Sequence, residues 1–139
     1  MKALILTLLF ISLSFANDIG TVEKVVIDDN KNQVALVQRG KDTLPIIGVG
    51  FKIKENDIIK TFDTSKVKIR FIDNTIVYVG VKTIFEISKY SYDKSNKENN
   101  KVDFKIKKGS YKIKTGNIEK LAPKKFKIQT DNFIIGINK

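Results

Sequence analysis

The chain has no cysteine, no histidine and no tryptophan in 139 residues. Without cysteine there is no disulfide, no thiolate metal site, no thiol nucleophile and no sulfur through which a lipid could be attached near the N-terminus. Without histidine the usual general base, the usual zinc ligand and the Ser-His and Cys-His pairs are all missing. Two carboxylates or a Ser-Lys pair remain as catalytic options. However, Asp57, Asp73, Glu86 and Asp103 are scattered along the chain, and turn formation is the simpler reading of such residues. The sequence therefore predicts no enzyme, no catalytic residue, no metal and no cofactor. Proline occurs twice, and Pro45 and Pro123 both fall at the margins of strand-like runs, where a missing N–H does least harm. No glycine-rich phosphate cradle exists, because Gly48-Val49-Gly50 lacks the third glycine and a following helix. Asp28-x-Asn30-x-Asn32 imitates the start of a calcium loop. Gln33 stands where that loop needs glycine and Arg39 where it needs glutamate, so a polar hairpin loop is the better reading.

Arginine is nearly absent too: only Arg39 and Arg70 are present, and the formal charge of +11 is almost all lysine. Such a balance points towards anionic partners. Lysine is a solvated point charge, whereas a two-pronged grip on phosphate favours arginine. Lysine, asparagine and isoleucine are abundant together, which reads as compositional background. Aromatic residues do alternate with lysine, as on platforms that stack single-stranded nucleic acid. One residue apart on a strand means opposite faces, so that signal argues against nucleic acid.

What the chain does have begins at its N-terminus. Lys2 supplies a positive start, Ala3 to Phe15 is uncharged and mostly apolar, and Ser14-Phe15-Ala16 sets small residues three and one before a cut between Ala16 and Asn17. This is the pattern of a secretory signal peptide. The run is short of the roughly 20 residues a membrane span needs. A buried N-terminal helix and an uncleaved anchor are the alternatives. Residues 1–16 are thus predicted to be a signal helix and the rest one domain of ordinary size, periplasmic or secreted. Membrane contact is expected only through an uncleaved signal.

After Ala16 the helical period is almost absent and period-two alternation prevails. Thr21–Ile27 and Gln33–Gln38 predict one hairpin around the polar run 28–32. Lys66 to Phe71 alternates charged and apolar residues, and Asp73-Asn74 turns it into Thr75–Val79, a second hairpin. Ile84–Ile87, Val102–Lys107, Ser110–Thr115, Lys125–Thr130 and Asn132–Ile137 are further strand candidates, with Gly109 and Gly116 as punctuation. Asp93 to Lys101 has no apolar residue and predicts a mobile loop. The pattern aromatic-Lys-Ile-(Lys or Gln) recurs at Phe51–Lys54, Phe104–Lys107, Tyr111–Lys114 and Phe126–Gln129, without the fixed period a solenoid demands. It predicts strands with aromatic and isoleucine inward and lysine outward, where lysine also protects strand edges. The fold class that follows is all-β: one compact domain of short, mostly antiparallel strands, as a β-sandwich or β-roll.

Several of these pieces, in this order, resemble the FecR domain. Glu55-Asn56-Asp57-Ile58-Ile59-Lys60-Thr61 is similar to its G-D-x-I-x-T step. Val67 to Thr75 is similar to its hairpin ending in D-G-s. Phe104–Lys107 with Gly109 is similar to its l-x-x-G strand, and Phe126–Thr130 followed by Ile134–Ile137 to its closing strands. The likeness covers about residues 19 to 137. It implies structural turn roles for Asp57, Thr61, Asp73, Asn74, Gly109, Thr130 and Gly136. Asn56 and Asn74 replace family glycines, and asparagine is the residue that best tolerates a left-handed backbone there. The family pattern usually continues with a further G-T and strand, whereas this chain stops at Asn138-Lys139, which implies a shortened close. The resemblance implies a periplasmic all-β sensing module. The cytoplasmic anti-sigma segment of the best-known members has no counterpart here, since only Met1 and Lys2 precede the apolar run. Two functions follow as expectations: a non-catalytic module that binds an envelope protein in signalling, or a basic envelope protein that holds anionic polysaccharide or lipid.

Overall fold

Alternation along Lys66–Phe71 produces a strand with one buried face: Val67, Ile69 and Phe71 are buried and the residues between them are not. The same rule builds the rest of the chain. The computed structural model describes residues 17–27, 34–131 and 134–136, the last three as backbone. The predicted signal helix, Ala16, the calcium-like run 28–32 and residues 132–133 and 137–139 lie outside the described residues.

Among the described residues the strands are β1 (Asp18–Val26), β2 (Leu36–Arg39), β3 (Asp42–Pro45), β4 (Lys52–Lys54), β5 (Ile58–Lys60), β6 (Lys66–Phe71), β7 (Ile76–Val79), β8 (Ile84–Ser91), β9 (Lys101–Lys108), β10 (Tyr111–Lys114), β11 (Phe126–Thr130) and β12 (Ile134–Gly136). One short helix, α1 (Asn117–Leu121), precedes β11. The strands form a five-stranded sheet, β10-β7-β6-β1-β4, and a seven-stranded sheet, β12-β11-β9-β8-β5-β2-β3. Every strand pair is antiparallel except β9 with β11.

The two sheets pack face to face through aromatic rings. Phe71 of the smaller sheet lies 5.2 Å from Phe104 and 5.2 Å from Tyr90 of the larger one. Phe104 also meets Phe85 at 5.1 Å and Phe126 at 5.8 Å, both edge-on. Val22, Val37, Ile59, Ile69 and Ile87 fill the space around them and are fully buried. Two of the register irregularities retune the alternation visibly. One in β1, between Val22 and Lys24, leaves Glu23 and Lys24 both off the core. One in β8, between Ile87 and Lys89, sends Tyr90 rather than Lys89 inward. A bulge adds one residue on one strand and so shifts every later side chain to the other face.

The structure corrects several expectations. β1 and β2 are not a hairpin: they belong to different sheets. Both edges of β1 are taken, by β4 and β6, and both edges of β2 by β3 and β5. The second expected hairpin is present as β6 and β7, with Lys68 opposite Tyr78. Residues 93–100 are a tied loop, not a featureless one. Asn100 is fully buried, its side-chain amide donates to the carbonyls of Asp93 and Asn96, and its oxygen accepts from Asp93 N. A short 3-10 turn, Lys97–Asn99, sits inside that loop. Glu86 and Asp103 lie within β8 and β9 rather than at turns, where Asp103 accepts from Gln129 on the neighbouring strand. Helix α1 has too few residues to show a period, yet it buries Ile118 completely.

Candidate functional site

The residues that the resemblance marks as turn-formers fall into separate places, not one pocket. Asp57 is fully buried and takes two hydrogen bonds from the Arg39 guanidinium, at 2.9 and 2.8 Å, and one from Lys54 N at 2.8 Å. The Asp57 carboxylate in turn holds the Arg39 pKa above its ordinary value. Asn56 and Asn74 stand in the left-handed region, at φ 72° and 71°. Thr61 and Gly109 meet through Thr83. Thr83 N donates to Thr61 Oγ1 at 2.9 Å, and Ser110 N donates to Thr83 Oγ1 at 3.0 Å. Gly109 has φ 101°, and a Cβ there would lie 2.2 Å from Thr83 Oγ1 and 2.5 Å from its Cα. Gly109→Ala is therefore expected to destabilise the fold by about 3 kcal/mol, from backbone strain and the clash together, read as a lowered urea midpoint with unchanged slope. Thr130 pairs with Ile106 of β9, and Gly136 with Lys127 of β11. Asn17 is exposed ahead of β1.

Asp73 is the most connected of these residues. Its Oδ1 accepts from Tyr90 Oη at 2.5 Å and from Thr75 N at 3.2 Å. Its Oδ2 accepts from Thr75 Oγ1 at 2.8 Å and from Ile118 N at 3.0 Å. The carboxylate thereby ties the β6–β7 turn to α1 and to the bulge-directed Tyr90. Burial, and then the facing Asp73 charge, push the Tyr90 phenol well above its usual range. The unfolded chain ionises that phenol near pH 10 while the folded chain keeps the proton, so its contribution is intact below about pH 10 and declines above it. Tyr90→Phe is expected to remove up to about 1.4 kcal/mol per pH unit of the alkaline slope of stability, measured by urea unfolding from pH 9 to 11.

Two surface features lie apart from that interior. The first is the outer face of the five-stranded sheet. Strand register places Lys112, Tyr78, Lys68 and Lys24 in one row across β10, β7, β6 and β1. Lys114, Ile76, Arg70, Thr21 and Lys52 form the next. Lys68 Nζ and Lys112 Nζ approach the Tyr78 ring to 5.6 and 6.0 Å from its centroid. Two acids lie on this face among the described residues: Glu23, which bridges Arg70 and Lys68, and Asp18, which pairs with Lys54 at the β4 end. The Arg70 hydrogen bond, assisted by Lys68, holds Glu23 below the usual carboxylate range. An open groove of about 670 Å3 runs between Lys24, Lys66, Lys68, Tyr78 and Lys112, and most of its lining is apolar.

Within-strand spacing hid this site by separating aromatic from lysine. Cross-strand register joins them, so an aromatic residue and lysines do share a face here. Counting outward from a two-residue turn at Asp73-Asn74 would set Lys68 opposite Val79; the observed register differs by one residue because Ile72, Asp73 and Asn74 all lie between the paired Phe71 and Thr75.

The second feature is the loop from β3 to β4. Ile47 is 77% exposed and Val49 73% exposed. The strands it joins are the terminal strands of the two sheets, β3 of the larger and β4 of the smaller. No group of three or more metal-ligating residues occurs among the described residues, and none of their helices is long and apolar enough to cross a membrane.

The sequence pattern of the family described as FecR protein matches residues 57–139, more than half of the chain. The chain belongs to the FecR family. The matched region begins at Asp57 and supplies β5 to β12. β1 to β4, which complete both sheets, precede it. FecR proteins are non-enzymatic envelope signalling regulators, associated with the membrane and carrying a periplasmic domain. No curated protein and no solved structure matches the chain significantly.

Proposed function

We propose that this FecR chain is an exported, non-catalytic module, cut between Ala16 and Asn17, whose residues 17–139 act as one domain that docks an envelope protein and relays its state. The observation that carries the docking surface is the β3–β4 loop, where two exposed aliphatic side chains sit between the terminal strands of the two sheets. An exposed apolar tip beside β3, which has β2 as its one strand neighbour among the described residues, suits an extended, apolar segment of a partner, which would add main-chain hydrogen bonds along β3 and seat its side chains on Ile47 and Val49. Family membership supports the signalling role.

The test is site-specific. A photo-crosslinker at residue 48, in cells producing the full chain, should trap one discrete envelope protein. Ile47→Asp with Val49→Asp should abolish that adduct while the circular-dichroism spectrum stays that of strand. An adduct that survives both aspartates, or no discrete adduct, would reject the loop as the docking surface. Mass spectrometry of the periplasmic form should find Asn17 as its first residue.

A further inference from the structure

The basic face of the five-stranded sheet has no place in protein docking at the β3–β4 loop. Its cations exceed local need. The described acids beside them are already engaged, Glu23 by Arg70 and Lys68 and, at the β4 end, Asp18 by Lys54. Lys24, Lys66 and Lys112 form no ion pair with any described residue, yet register gathers them around one groove. Adjacent strands are about 4.8 Å apart and same-face residues along a strand about 7 Å apart, so the ammonium groups stand at spacings comparable with the repeat of a sugar chain.

We propose that this groove binds a linear, carboxylate-bearing polysaccharide. The apolar lining and the Tyr78 ring would receive the C–H faces of successive sugars, while Lys24, Lys66 and Lys112 on the rim meet their carboxylates. Three features favour that ligand. The groove is concave, which suits a chain and not the surface of a bilayer. The strongest apolar protrusions, Ile47 and Val49, are in the loop and not among the groove's lining residues. The free cations are lysines, and the face's arginine is held by Glu23, so the point charges match single carboxylates better than the forked contacts that phosphate invites.

The purified protein should bind oligomeric alginate, used as the probe, and not neutral dextran. Its affinity should fall about tenfold or more between about 50 and 200 mM salt, as for other polymers gripped by several lysines. Lys24→Glu with Lys112→Glu should weaken binding at least about tenfold, since two attractive contacts become repulsive. Tyr78→Ala should weaken it at constant charge. A charge-matched pair on the other sheet, Lys107→Glu with Lys127→Glu, should leave the groove intact and cost much less. Circular dichroism checks that each variant keeps its strand spectrum. Equal losses from the two lysine pairs would mean attraction by net charge alone and overturn the proposal. So would tighter binding to vesicles of anionic phospholipid or to an oligothymidylate than to alginate. Purified protein and a defined probe make the outcome independent of the crosslinking experiment on the β3–β4 loop.

Discussion

Asp73→Ala is expected to destabilise the protein by about 3–5 kcal/mol, because four hydrogen bonds end on one buried carboxylate and each donor is left without it. The donors come from three separate parts of the chain: Thr75 beyond the turn, Tyr90 on β8 and Ile118 on α1. Losing the acceptor of Ile118 N should release α1 first. That helix is also fastened by Asn117 N donating to Asp73 O at 2.8 Å and by Gly116 N donating to Thr75 Oγ1 at 3.1 Å. Space is tight around it, since a Cβ on Gly116 would lie 2.3 Å from Asp73 O. Hydrogen exchange should therefore show the Ile118 amide losing protection beyond what the global loss accounts for. Asp73→Asn keeps the shape but turns an amide NH2 towards one set of donors, and should cost less than alanine. A loss under about 1 kcal/mol for Asp73→Ala, the size of one ordinary hydrogen bond, would show that the turn and helix hold without this carboxylate.

Phe104→Ala is the second large effect. Phe104 is fully buried and touches Phe71, Phe85 and Phe126, so it joins three strands of the larger sheet to one strand of the smaller. Removing a ring at such a point loses its transfer free energy and leaves a cavity that neighbouring rings close only in part, which costs about 3–5 kcal/mol. Edge-on and tilted ring contacts add to the loss beyond area. Lys107→Ala, three residues along and exposed, should change stability by less than about 0.5 kcal/mol. Urea midpoints of the two variants measure the contrast. Similar midpoints would mean that the aromatic cluster does not hold the sheets together.

Phe104 also shows what the sequence made legible. The recurring aromatic-Lys-Ile pattern identifies which side chains face inward, and Phe104, Ile106, Phe126 and Ile128 are all buried. Period-two alternation assigns faces because side chains on a strand must alternate. It says nothing about partners, which is why β1 and β2 looked like a hairpin although their edges were claimed by other strands. The β6–β7 hairpin was legible because Asp73-Asn74 is a local turn signal. Helix α1 was not, because five residues hold too little periodicity to be seen. Asn100 looked like one more polar residue of a loop, yet its amide satisfies three backbone groups of that loop while buried. The basic face was hidden for a geometric reason: it exists between strands, and reading along a chain samples only one strand at a time.

Interleaving of the two layers has one further consequence. The polypeptide changes sheet between β1 and β2, between β3 and β4, at each step from β4 to β6, from β7 to β8, and on both sides of β10. β10 and α1 are interposed between the parallel neighbours β9 and β11. A cut near the middle of the chain could therefore not yield a self-sufficient half, since each fragment would carry incomplete pieces of both walls. Denaturation should engage both sheets at once, and acquisition of structure must wait for segments distant in the chain to find each other, a slow process for such topologies.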